Sequence, residues 1–135
     1  MNLDKYRHQH ADIIGHVRTL RQLSAAGIAE QASAIAREVI AMSAVIKLHL
    51  SVEDRFLYPA MQQADAALAQ KARQYQQEMT GIATQYAQFS RQWNDARRVA
   101  EHPERFRDDA NRVLRLLFER IERENRDFYP QIESA

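Results

Sequence analysis

Cysteine is absent from the 135 residues, which excludes disulfides, thiolate metal ligands and thiol catalysis. Glycine and proline are scarce, at three each, so there is no linker or low-complexity tract to divide the chain. No apolar run approaches the roughly 20 residues needed to cross a membrane. The first ten residues, MNLDKYRHQH, contain no apolar core of a signal peptide. Charge is nearly balanced, at net +1, and no basic tract points to nucleic acid. Alternation with period two is missing, so no sheet is expected. Nucleophile–base pairs, glycine-rich phosphate loops and hydride-cofactor motifs are missing as well, and the chain does not read as an enzyme. What remains is a cytoplasmic protein with a single domain over residues 1–135 and one core.

Helical periodicity fills that domain. The spacing predicts a first helix from Leu3 to Ala25, with a stripe of Leu3, Tyr6, Ile13, Ile14 and Val17 that ends at Gly27. A second helix is predicted from Ala29 to Gln62, bent near Pro59. A third starts at Asp65, a good N-cap, and runs to Val99 along Leu68, Ala72, Tyr75, Met79, Ile82, Tyr86, Phe89 and Trp93. A fourth starts at Pro103 and reaches Ile132 along Phe106, Ala110, Val113, Leu117 and Ile121. Connections this short predict an all-α, antiparallel up-down-up-down four-helix bundle.

The informative residues are polar ones on faces that should be apolar. At about 100° per residue, His10 falls within the first stripe. His49 falls at the centre of a seam made by Met42, Val45 and Phe56, with Glu53 one turn on. Glu124 lies close to the Leu117 direction, and Arg120 lies to one side of it. His8, His16 and His102 point to the surface. A single histidine on a helix face is more often a hydrogen-bonded core residue than a ligand. Two histidines and two carboxylates aimed inward from three helices are a different matter, because buried charges must find each other or a metal. Such a donor set suits iron, manganese or zinc.

Two stretches repeat. HLSVEDRFLYP (His49–Pro59) aligns with RIERENRDFYP (Arg120–Pro130), sharing Glu53 with Glu124, Arg55 with Arg126, Tyr58 with Tyr129 and Pro59 with Pro130. The first opens on a histidine and the second on an arginine. The tyrosine–proline pairs read most simply as helix-end packing.

His10 with Ile13, then HLSVED and its trailing Tyr58-Pro59, then Glu124 with Tyr129-Pro130, together resemble the hemerythrin-like (HHE cation-binding) domain over nearly the whole chain. The resemblance implies a four-helix bundle that holds two non-haem irons. It also implies oxygen storage or transport, a response to oxygen, nitric oxide or redox state, or a link to iron–sulfur repair. His10 and His49 match its histidine ligands, and Glu53 and Glu124 match its bridging carboxylates. The third helix, however, carries no histidine. Met79 stands at its centre with Glu78 beside it, and Arg120 takes the expected histidine position four residues before Glu124.

The resemblance therefore implies a degenerate, mononuclear iron site, with one iron per chain and oxygen or nitric oxide as its gaseous partner. Glu78 and Tyr75 are the alternative oxygen donors from the third helix. Arg120 is expected to bridge Glu53 and Glu124 through its planar guanidinium. The alternative reading is a metal-free pseudo-hemerythrin in which Arg120 replaces the second metal. It would act as a regulatory interaction module for a protein partner or a second copy, with Tyr86, Phe89 and Trp93 extending a seam into the partner's groove.

Overall fold

Helices account for nearly the whole chain in the computed structural model, which describes all residues 1–135 and contains no strand. α1 spans Asp4–Ala25, α2 Ala32–Val52, α3 Tyr58–Met61, α4 Ala66–Trp93, α5 Ala96–Glu101, α6 Pro103–Arg123 and α7 Tyr129–Ser134. Single π-helical turns, Glu53–Leu57 and Glu124–Phe128, join α2 to α3 and α6 to α7. The chain thus makes four long rods. α1 packs on α2, α2 on α4, α4 on α6, and α6 returns to α1, which is the antiparallel up-down-up-down bundle that the periodicity predicts.

The ends of the rods follow local chemistry. Gly27 adopts φ 116° after α1, a conformation that glycine enters without steric cost, and α2 begins at Ala32 rather than Ala29. The Asp65 side chain accepts a hydrogen bond from the Leu68 N–H at 3.0 Å and caps α4. The third rod stops at Trp93 rather than Val99. Asp95 caps a separate short helix by accepting from the Arg97 N–H at 2.9 Å. Pro59 and Pro130 each sit in the first turn of the α-helix that follows a π-turn, where the missing proline N–H is best tolerated.

The π-turns also correct the expected seam. Phe56 is 60% exposed, and Leu57, Tyr58 and Met61 turn inward instead. A uniform rotation of about 100° per residue does not hold across a turn closed by i→i+5 bonds. Val45 is only half-buried, and its neighbour Ile46 takes the buried place.

Two apolar clusters fill the bundle. The larger holds Ile13, Val17, Met42, Ile46, Met79, Leu117 and Ile121 among others. The smaller holds Leu3, Tyr6, Leu57, Tyr58, Tyr75, Phe128 and Tyr129. Tyr86, Phe89 and Trp93 do not extend toward a partner. All three are buried in the larger cluster, where the Tyr86 hydroxyl donates to the Val39 carbonyl at 3.0 Å and the Trp93 indole N–H donates to Asp109 at 3.0 Å. His8 and His102 are exposed as expected, whereas His16 is half-buried and hydrogen-bonded to Glu38.

Candidate metal centre

Between the two clusters lies a polar layer. Gln9, His10, His49, Glu53, Arg120 and Glu124 are the polar side chains that the fold buries. The last five are each at most 2% exposed. Three rods supply them: α1 gives Gln9 and His10, α2 and its π-turn give His49 and Glu53, and α6 with its π-turn gives Arg120 and Glu124.

His10 Nε2 and His49 Nε2 lie 3.1 Å apart, and His10 Nε2 lies 3.1 Å from Glu124 Oε1. His49 Nε2 is 3.1 Å from Glu53 Oε1 and 3.9 Å from Glu124 Oε1. With metal–ligand bonds of about 2.0–2.2 Å, neighbouring ligand atoms around one ion sit roughly 3 Å apart. His10, His49 and Glu124 offer one donor atom each within 4.8 Å of one another, a set able to hold a metal ion. Glu53 is not part of that trio, although its Oε1 touches the same histidine nitrogen.

The far side of each imidazole is fixed. His10 Nδ1–H donates to Asn125 Oδ1 at 2.7 Å, and His49 Nδ1–H donates to Gln9 Oε1 at 2.8 Å. Both amide oxygens are acceptors, so each Nδ1 carries a proton, and the Nε2 atoms face one another. Sequence reasoning overlooks both amides. Each adjoins a ligand candidate in the chain, but neither falls on an apolar stripe. It also assigns Tyr58 and Tyr129 to helix ends only. The Tyr129 hydroxyl in fact donates to Glu53 Oε2 at 3.0 Å and lies 3.2 Å from His10 Nε2.

The electrostatics follow from burial and these contacts. Burial opposes charge on His49, but the nearby Glu124 and Glu53 carboxylates outweigh it and raise its pKa to about 9. Burial, followed by the Glu124 charge, raises the Glu53 carboxyl to about 7. Burial acts in the same sense on Glu124, but the His10 and His49 rings beside it override it and hold that carboxyl well below the usual range. Burial and then the glutamate charges push the Tyr58 and Tyr129 phenols far up.

Arg120 lies at the other side of Glu124, and here the structure corrects the expected bridge. Its Nη2 donates to the Tyr75 carbonyl at 2.6 Å and to the Tyr58 hydroxyl at 3.3 Å, and lies 3.7 Å from Glu124 Oε2. Glu53 is not its partner, because Tyr129 and His49 already engage that carboxylate. The guanidinium sits over the Tyr75 ring, 4.6 Å from its centroid, and Nη1 is 3.6 Å from Glu78 Oε2. Glu78 is half-exposed and pairs with Arg123 at 3.0 Å, so it does not join the trio. Met79 is buried among apolar neighbours, and Tyr75 stacks on Phe128 at 4.3 Å.

Glu53 Oε1, Glu124 Oε2, and Arg120 Nε and Nη1 have no hydrogen-bond partner. A buried carboxylate oxygen without a donor is costly, and a cation beside His49 would satisfy Glu53 Oε1. The donors present therefore fit one metal ion. Arg120 places a permanent cation on the other side of Glu124.

A profile of the Hemerythrin HHE cation binding domain matches residues 1–132. No curated protein and no solved structure matches the chain.

Proposed function

Because the chain belongs to the hemerythrin HHE cation-binding family, we propose that it binds a single metal ion, most suitably iron, through His10, His49, Glu124 and Glu53. The observation that carries this reading is the pair of imidazoles with locked Nδ1 protons and Nε2 atoms 3.1 Å apart. Two ring nitrogens that present lone pairs at this distance repel unless a proton or a cation lies between them and the carboxylates. In the metal-free chain the His49 proton fills that role; a metal would displace it.

Charge supports one ion rather than two. Once the His49 proton is displaced, two carboxylates against one guanidinium leave a net negative layer, which one divalent cation already more than offsets. A bound ferrous ion would supply an open coordination position for dioxygen or nitric oxide and a one-electron couple, and so a sensing role. The protein's own part is to orient the imidazoles through Gln9 and Asn125, to exclude water with the two apolar clusters, and to offset charge with Arg120. His10→Ala and His49→Ala test this. Each is expected to abolish iron uptake while the helical circular dichroism is retained; iron retained by both variants would refute the ligand set.

A second reading has its own observation: Arg120 is buried beside Glu124 and supplies a cation without any metal. On that reading the chain is a pseudo-hemerythrin and regulatory interaction module. A folded wild-type chain that takes up no metal under anaerobic reconstitution would favour it.

A further inference from the structure

Tyr58 and Tyr129 each follow a buried glutamate by five residues. In an α-helix that step turns a side chain about 140° away. The π-turns undo the rotation. The Tyr58 N–H bonds the Glu53 carbonyl and the Tyr129 N–H bonds the Glu124 carbonyl, so each ring returns to the buried face. Both rings are at most 2% exposed. Their hydroxyls then cross the bundle in opposite senses, Tyr129 to Glu53 and Tyr58 to Arg120.

Each buried glutamate is divided between two tasks. Glu124 turns Oε1 to His10 and Oε2 toward Arg120. Glu53 accepts from Tyr129 through Oε2, while Oε1 faces His49 Nε2 at 3.1 Å without a hydrogen bond. A carboxylate held by one oxygen presents the other in a defined direction, which is how outer groups orient metal ligands. The Tyr129 ring is itself fixed. It stacks on His10 with centroids 5.1 Å apart and planes 7° from parallel, and the Arg7 guanidinium lies 5.7 Å from its centroid. Its hydroxyl has two acceptors within reach, Glu53 Oε2 and His10 Nε2. A metal on His10 Nε2 would occupy that lone pair and leave Glu53 as the only one.

Resting on the metal reading above, we propose that Tyr129 is a positioning residue of the metal centre: its hydroxyl holds Glu53 by Oε2 so that Oε1 enters the ligand set as a single-oxygen donor. Tyr58 serves the Arg120 half of the layer and not the metal. The repeated tyrosine–proline ending thus has two separate roles, set by what each hydroxyl meets across the bundle.

Cobalt(II) is a suitable probe, because its visible bands report ligand number and geometry. The wild type, Tyr129→Phe, Tyr58→Phe and Glu53→Gln are titrated with it anaerobically, and circular dichroism checks their helicity. Tyr129→Phe is expected to bind about 10–100-fold more weakly with shifted bands, and Tyr58→Phe to keep the wild-type spectrum and an affinity within about threefold. Glu53→Gln is expected to show the same loss, and adding Tyr129→Phe to it should change nothing more, because the hydroxyl acts through that carboxylate. Wild-type affinity and bands in Tyr129→Phe, or equal losses in both phenylalanine variants, would overturn the assignment. If Tyr129→Phe fails to fold, Glu53→Gln decides: unchanged cobalt binding there overturns it equally. A folded wild type that takes up no cobalt would instead overturn the metal reading, and this assignment with it.

Discussion

An imidazole offers one nitrogen to a metal most effectively when the other holds its proton against a fixed acceptor, and Gln9 and Asn125 provide those acceptors. Asn125→Ala is expected to weaken metal binding by about 10–100-fold while leaving one ion per chain at saturation; isothermal titration under anaerobic conditions checks it. The metal must also displace the proton that keeps His49 charged. With the His49 pKa raised to about 9, metal affinity should climb as pH rises from 6 toward 9, with proton release on binding. The same shift sets the stability of the metal-free chain. The folded pKa is above the unfolded one, so the His49 contribution is complete below about 6.5 and fades as pH approaches 9. Arg120 is the other buried cation. Arg120→Ala leaves Glu124 facing the guanidinium's former place and should cost about 3–5 kcal/mol in denaturant unfolding. Arg120→His removes the permanent cation and adds a donor, and is expected to raise metal affinity. Unchanged metal uptake by a stable Arg120→His chain would count against Arg120 as the second metal's replacement.

The four rods were legible in the sequence because burial imposes period 3.6 on them, and the stripes through Tyr75, Met79, Tyr86 and Trp93 and through Phe106, Val113 and Leu117 are buried as their spacing implies. Asp65, Gly27 and Pro103 marked the rod ends for local reasons that need no tertiary context. The π-turns carry no comparable mark. Nothing in EDRFL or ENRDF distinguishes an i→i+5 turn from an α-helical one, so Phe56 was placed inside and Tyr58 and Tyr129 were given no partner. His10, His49 and Glu124 could be brought together because each shares a direction with its apolar stripe. Gln9 and Asn125 do not, and their roles depend on how α1 lies against the second and fourth rods. A pair of substitutions measures the π register directly. Phe56→Gln should change stability by less than about 0.5 kcal/mol, whereas Leu57→Ala, fully buried, should cost about 2–5 kcal/mol.

The whole molecule is two apolar clusters separated by one charged layer, and that arrangement ties metal binding to stability. A bundle that buries two histidines, two glutamates and an arginine forgoes apolar packing at its centre, and the layer holds together only if its charges are matched. Metal that binds the folded chain alone should raise the unfolding temperature, with about 4 kcal/mol contributed when free metal exceeds the dissociation constant roughly 1,000-fold. Calorimetry with increasing ferrous iron is the check, and a melting temperature indifferent to metal would disagree with a buried site. The most direct test of the account is the number of metal ions per chain. Protein purified without a metal-affinity tag is reconstituted anaerobically with ferrous iron and assayed by plasma mass spectrometry. The account predicts one iron per chain. Two would contradict the exclusion of a second ion by Arg120, and none in a folded chain would contradict the metal centre itself.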